Sequence, residues 1–212
     1  QVSTGGIKDA TIATADIADD QVTAAKISNN EDFTINSLTV GKGANSVTGN
    51  TVLGETALDA AVTGSNNTAI GKDALTANTS GYNNVSVGAF SLYANTTGDS
   101  NTGVGKDALA ANTTGGNNTA VGHDALTANT TGAQLTAVGG NALDANTEGN
   151  YSTAVGRNAL GANTTGSSST AIGLSALAAN TTGNNNIAVG FNALDANTTA
   201  DNNTAIGYDA LG

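Results

Sequence analysis

A glycine recurs every 17 residues from Gly54 to Gly207, and this repeat constrains the fold more strongly than any other feature of the sequence. Its ten positions show no insertion or deletion, and each is preceded by Leu, Ile or Val and followed four residues later by Leu. The consensus of one unit reads T-A-[IV]-G-x-x-A-L-x-A-N-T-T-G-x-N-N. A disordered chain has no reason to keep this phase, so we expect a folded repeat protein.

Each unit reads as one short strand and several turns. The T-A-[IV] triplet is compatible with a strand, and the Gly, Asn and Thr-Thr-Gly positions favour turns. A helix is disfavoured because two near-fixed glycines and several Asn and Thr residues, all weak helix formers, fall in every unit. The sequence therefore predicts an all-β fold, a β-solenoid of the parallel β-roll type with 17-residue coils. At about 4.8 Å per coil, ten coils form a rod roughly 48 Å long.

Identical residues stack into ladders along such a rod. A column of asparagines can form hydrogen bonds from amide to amide, and the glycines can occupy corners with positive φ that other residues avoid. The predicted ladder residues are Gly71, Gly88, Gly105, Gly122, Gly139, Gly156, Gly173, Gly190, Asn78, Asn95, Asn112, Asn129, Asn146, Asn163, Asn180 and Asn197.

The strand triplet is apolar on both faces. Neighbouring strand residues point to opposite sides, so Ala69 and Ile70 face different ways, and both columns are apolar almost throughout. A strand that is apolar on both faces must be covered on both. Because the chain offers no spare element for the outer face, we expect self-association about a threefold axis, giving an intertwined homotrimeric fibre.

The ends of the chain differ from the repeats. Residues 1–37 carry apolar residues every five positions, which predicts a stem or trimerisation segment (Ile7, Ile12, Ile17, Val22, Ile27). Residues 38–53 read as an irregular, shortened first coil, and residues 54–212 as the 17-residue coils. The sequence stops within a unit without a capping segment, so we expect a fragment of a longer fibre, truncated at its C-terminus.

Composition excludes several classes of function. Six basic against seventeen acidic residues give a net charge of −11, which disfavours binding to nucleic acid or to an anionic lipid surface. No apolar run approaches the roughly 18 residues of a membrane span, so no insertion into a membrane is expected of this segment. Aromatic residues make up 3% of the chain, so the core must be thin and built from Ala, Val, Ile and Leu.

No constellation of titratable groups indicates catalysis, and we expect no enzyme, no catalytic residue and no cofactor. The single histidine, His123, lies in a variable column and reads as a solvated side chain. Asp107 and Asp124 stack on adjacent coils and could hold Ca²⁺, which prefers oxygen ligands. However, the glycine-aspartate nonapeptide of calcium-binding rolls is absent, and exposed turn residues are the alternative, so no metal ligand is assigned.

Three surface features leave alternatives open. The Asn-Thr-Thr triplets match glycosylation sequons, although the ladder explains the asparagines without a sugar. Thr96 and Thr97 point to opposite sides, unlike the paired outward threonines of ice-binding solenoids. Aromatics interrupt the small residues and are candidates for contact with a receptor or glycan, with tolerated variation on an outer face as the alternative. These candidates are Phe90, Tyr93, Tyr151, Phe191 and Tyr208.

The unit resembles the head repeat of trimeric autotransporter adhesins of the YadA-like type, which shares the pattern of Ile70-Gly71-Lys72-Asp73-Ala74. The NTAIGxxALxxNTTG form is similar to repeats of phage tail fibres and secreted bacterial fibre proteins, and residues 6–27 resemble tail-fibre stems. The resemblance implies a homotrimeric, left-handed parallel β-roll on an extracellular, cell-surface or virion fibre, serving adhesion or host attachment. The alternatives are a self-assembling filament without a receptor and, less favoured, an ice-binding solenoid.

Overall fold

The computed structural model describes residues 33–35 and 38–212, and the described residues form an all-β solenoid with 17-residue coils, as predicted. The predicted stem, residues 1–37, lies outside the described residues except for its strand β1. The strands are β1 (Phe33–Ile35), β2 (Leu38–Gly41), β3 (Thr51–Gly54), β4 (Thr68–Ile70), β5 (Val85–Val87), β6 (Thr102–Val104), β7 (Thr119–Val121), β8 (Thr136–Val138), β9 (Thr153–Val155), β10 (Thr170–Ile172), β11 (Ile187–Val189) and β12 (Thr204–Ile206). A 3-10 turn at Ala44–Ser46 is the one helical element of these residues.

All twelve strands belong to one sheet, in chain order. From β3 to β12 every neighbouring pair is parallel, and each residue pairs with the residue 17 positions away, as Thr119 does with Thr136. The pairing is unbroken because every coil has the same length. Each coil therefore adds one strand to the sheet.

The start of the solenoid has a different topology. Strand β2 runs antiparallel to both β1 and β3, with Val40 opposite Leu53. The segment 38–53, expected as a shortened first coil, thus contains a reversal of the chain. Its 13-residue spacing from Val40 to Leu53 is too short for a full 17-residue circuit, and the chain turns back through Ala44–Ser46.

The chain bends at three left-handed residues and one glycine in each of the coils that begin with β4 to β11. In the coil that begins with β7, these residues are Gly122 (φ 143°), Asp124 (φ 57°), Leu126 (φ 55°) and Gln134 (φ 58°). A side chain on Gly122 would lie 2.5 Å from the carbonyl oxygen of Gly139 in the next coil. This corner therefore requires glycine because of its φ and because of the close approach of two coils.

The leucine column adopts a conformation that leucine normally avoids. Every leucine of this column, from Leu58 to Leu211, has φ between 50° and 55°. A left-handed residue costs about 1–2 kcal/mol, whereas full burial of a leucine side chain contributes about 1.5–3 kcal/mol. Because Leu58 to Leu177 are fully buried, their burial offsets the strain, and the turn carries the largest apolar side chain of the core.

The core also contains the middle residues of the strands, beside the buried asparagines. The middle residue of each strand points inward, and it is a fully buried alanine in most coils, as at Ala120 and Ala137. Ser86 and Gly103 depart from this column and are accommodated together by Ser91. The Ser86 hydroxyl donates to the carbonyl oxygen of Ser91 (2.7 Å), and the Ser91 hydroxyl donates to that of Gly103 (3.0 Å).

Candidate interaction surface

The outward side of the sheet is a charge-free stripe of threonine and branched aliphatic residues. We call it the strand face, defined as the first and third residues of strands β3 to β12. Its members are Thr51, Leu53, Thr68, Ile70, Val85, Val87, Thr102, Val104, Thr119, Val121, Thr136, Val138, Thr153, Val155, Thr170, Ile172, Ile187, Val189, Thr204 and Ile206. Val121 keeps 37% of its surface exposed and Ile172 keeps 41%, while the alanines between the columns are buried. The aliphatic column is half-buried to exposed along its length, and exposed apolar patches of proteins are candidate interaction sites.

The charged side chains of the coils lie on other sides of the solenoid. The position after the corner glycine carries the basic residue types Lys72, Lys106, His123 and Arg157. Lys72 Nζ lies 3.4 Å from Glu55 Oε2 of the preceding coil, with both side chains more than half exposed. Exposed ion pairs contribute little to stability. The strand face therefore contains no charged residue, and the charged side chains of the coils lie outside the strands.

The predicted asparagine column forms a continuous hydrogen-bonded ladder. Asn112 Nδ2 donates to Asn95 Oδ1 of the preceding coil (2.8 Å) and to the carbonyl oxygen of Gly115 (3.0 Å). The same amide-to-amide bond links each consecutive pair from Asn78 to Asn197. Asn95 and Asn112 are fully buried. They are the asparagines of Asn-Thr-Thr triplets, so burial removes these sequons from reach in the folded protein.

A second asparagine ladder was not predicted. It occupies the position just before each strand, where Asn101 N–H donates to Asn84 Oδ1 (2.9 Å) and Asn101 Nδ2 donates to the carbonyl oxygen of Gly115 (2.8 Å). Gly115 therefore accepts one hydrogen bond from each ladder and joins them, because a carbonyl oxygen has two lone pairs. The sequence feature that could have predicted this ladder is the final asparagine of the consensus, which directly precedes the strand. Leu135, Ser152 and Ser169 replace asparagine in the column.

The threonine column after the first asparagine ladder uses its hydroxyls within the chain. Thr96 Oγ1 donates to the carbonyl oxygen of Thr113 (3.0 Å), and Thr113 Oγ1 donates to that of Thr130 (3.0 Å). These side chains are half-buried, whereas Thr97 is exposed. The Thr-Thr pair therefore presents one free threonine column to solvent, and not two.

The candidate aromatic residues do not converge on one site. Phe90 packs edge-on against Tyr93 with ring centroids 5.9 Å apart, and Phe191 stacks on Tyr208 at 5.1 Å. Tyr151 belongs to neither pair and is 62% exposed. Phe90, expected on the surface, is half-buried, and its ring contacts that of Tyr93. Tyr82, which the sequence reasoning did not single out, is also exposed.

Asp107, His123 and Asp124 form the one group of three metal-ligating side chains found among the described residues, with ligand atoms within 4.8 Å of one another. His123 Nδ1 lies 2.8 Å from Asp124 Oδ2, and Lys106 Nζ contacts Asp107 Oδ2. The hydrogen bond to Asp107 raises the pKa of Lys106, and the negative charges of Asp107 and Asp124 act in the same direction. His123 is thus close to the carboxylates of two coils.

Within the described residues, no helical segment has the length and apolar composition needed to cross a bilayer. Comparison with protein-family models, with curated proteins and with solved structures gave no match. The resemblance of the repeat unit to adhesin heads and tail fibres therefore stays a prediction.

Proposed function

We propose that this chain is a non-enzymatic fibre shaft, a rigid spacer that holds an attachment structure away from a cell or a virion. The observation that carries the proposal is the unbroken parallel register from β3 to β12, because each coil then extends the solenoid by the same length. The buried asparagine ladders add side-chain hydrogen bonds along the same axis. Such a rod needs no large side chains, in keeping with an aromatic content of 3%.

In this proposal three copies associate through the strand face. A chain with a net charge of −11 keeps two full columns free of charge over ten coils, and the third strand residues are aliphatic in every coil. Parallel sheets are almost always covered on both faces, and the solenoid interior covers only one. Association of three strand faces removes the exposed parts of Val121, Val138 and their equivalents from water, which stabilises the assembly.

The proposed setting is extracellular, at a cell surface or on a virion tail, with adhesion or host attachment as the role of the fibre. The resemblance to YadA-like adhesin heads and to phage tail-fibre repeats supports this setting. A receptor or glycan is the proposed partner, and exposed aromatics such as Tyr151 are the candidate contacts.

The association is tested with a matched pair of double variants. Val121→Lys with Val138→Lys places charge in the strand face, and Thr114→Lys with Thr131→Lys places the same charge on exposed turns nearby. Sedimentation velocity should show three chains for the wild type and the turn variant, and one folded chain for the strand-face variant. An unchanged mass for the strand-face variant contradicts the proposed interface.

The attachment role is tested separately by probing a glycan array with the fluorescently labelled chain. Binding that falls in Tyr151→Ser and survives in Ser168→Ala, a substitution in the same exposed column, supports an adhesive surface on the shaft. If no glycan binds and electron microscopy shows the purified chain joined end to end, a self-assembling filament without a receptor replaces the adhesive role. Inhibition of ice growth by a single-chain species instead supports an ice-binding solenoid.

A further inference from the structure

Two carboxylates and one imidazole lie close together in the turns that follow the corner glycines of two coils. Asp107 and Asp124 occupy the same position of two consecutive coils, and His123 immediately precedes Asp124. The backbone fixes their approach, because Asp124 N–H donates to the carbonyl oxygen of Lys106 (3.1 Å) and both aspartates are left-handed (φ 58° and 57°). The three side chains thus extend from a backbone that the coil ladder holds in place.

We propose that Asp107, His123 and Asp124 bind a divalent transition-metal ion, such as Zn²⁺ or Cu²⁺. One ligand atom from each residue lies within 4.8 Å of the others, and an ion bound at about 2.0–2.2 Å from each would draw the three side chains closer together. An imidazole nitrogen suits Zn²⁺, Cu²⁺ and Ni²⁺, whereas Ca²⁺ and Mg²⁺ prefer oxygen ligands. The site therefore discriminates between these two classes of cation. Three protein ligands leave coordination positions open to water or to a further ligand.

Lys106 is the internal competitor for this site. Its ammonium donates a hydrogen bond to Asp107 Oδ2, one of the carboxylate oxygens that the ion needs. A bound ion must displace this ammonium, which is 57% exposed and free to move into solvent. Removal of the Lys106 charge should consequently strengthen metal binding, while removal of a ligand weakens it. These opposite changes in metal affinity distinguish a metal site from a solvated cluster of ion pairs.

The position-matched Asp73 provides the control. It occupies the equivalent position of an earlier coil, where Thr56 Oγ1 donates to its carboxylate and the adjacent Lys72 pairs with Glu55. The proposal is independent of the shaft function and of the number of associated chains, because all three ligands belong to one chain.

The experiment is isothermal titration of the full chain with zinc chloride, and then with calcium chloride, for the wild type and single variants. We expect one zinc ion per chain and weaker binding by about tenfold or more in His123→Gln, Asp107→Asn and Asp124→Asn. Asp73→Asn should match the wild type, and Lys106→Gln should bind more tightly. Circular dichroism checks that each variant is folded.

A second readout is the electron paramagnetic resonance spectrum of the chain loaded with one equivalent of Cu²⁺. Nitrogen hyperfine structure that disappears in His123→Gln supports imidazole coordination. The proposal is overturned by an absence of zinc binding at millimolar metal, by zinc binding that is unchanged in His123→Gln, or by calcium binding as tightly as zinc.

Discussion

Asn112 donates a hydrogen bond of 2.8 Å from its side-chain amide to Oδ1 of Asn95, the residue 17 positions earlier, and both side chains are fully buried. Asn112 Oδ1 in turn accepts from Asn129 Nδ2 (2.9 Å). A buried amide group costs about 1–3 kcal/mol when it is unpaired, whereas each hydrogen bond that is made contributes about 0.5–1.5 kcal/mol. The ladder therefore stabilises the solenoid only when it is continuous.

Asn112→Ala should destabilise the chain by about 3 kcal/mol, because buried Asn95 Oδ1 loses the amide that donates to it and Asn129 Nδ2 loses one of its two acceptors. Chemical denaturation followed by circular dichroism measures the change. Thr114→Ala, an exposed position of the same coil, is the control and should stay within about 0.5 kcal/mol of the wild type. Equal stability of the two variants would show that the ladder is not a stabilising element.

Gly139 and Gly140 are consecutive in the sequence, but we expect only Gly139 to be required for the fold. Gly139→Ala should cost about 3 kcal/mol or prevent folding, because its φ is 139° and a Cβ would lie 2.6 Å from the backbone of Gly156. Gly140→Ala should be neutral or stabilising by about 0.5 kcal/mol, since its Cβ would meet only the carbonyl oxygen of His123, at 3.9 Å. Thermal unfolding of both variants gives the comparison. Similar losses at the two sites would contradict the assignment of the corner.

The leucine column tests whether burial outweighs backbone strain. Leu126→Asn should destabilise the chain by about 3 kcal/mol or more, although asparagine tolerates φ of 55° better than leucine. Gln134→Asn changes an exposed residue with φ of 58°, and it should stabilise by a few tenths of a kcal/mol. Denaturation midpoints of the two variants should therefore move in opposite directions. A stable Leu126→Asn variant would mean that strain dominates at this turn.

Deletion of one whole coil should leave the fold intact. Removal of residues 102–118 joins Asn101 to Thr119 and restores the same junction and the same pairing of strands. Removal of residues 102–117 leaves one extra residue between the strands and breaks both ladders at one coil. The first variant should keep the circular dichroism spectrum and cooperative unfolding of the parent, and the second should unfold at lower denaturant. Equal stability would show that the 17-residue phase is not needed.

The period of the sequence revealed which residues stack, but not how the chain bends between them. The columns of Gly122 and Asn112 could be predicted because a fixed interval of 17 places their equivalents one above another. The left-handed backbone of Leu126 could not, because leucine avoids that conformation unless tertiary packing imposes it. The antiparallel pairing of Val40 with Leu53 was also missed, since a spacing of 13 fits either a short coil or a reversal.

The surface groups were only partly predictable. The exposed aliphatic column follows from the alternation of strand residues, and the structure places Val121 there with 37% exposure. His123 read as a solvated side chain because its column varies from coil to coil. Its approach to Asp107 depends on the turn between two neighbouring columns, and that geometry is not encoded in the period.

We propose that three copies of this solenoid form one shaft, and the absolute mass of the purified chain in solution tests this association. Light scattering during size-exclusion chromatography should give a β-rich species of three times the 20.5 kDa of one chain. A folded, β-rich species with the mass of a single chain would contradict the account, because the strand face would then be stable in water without a partner.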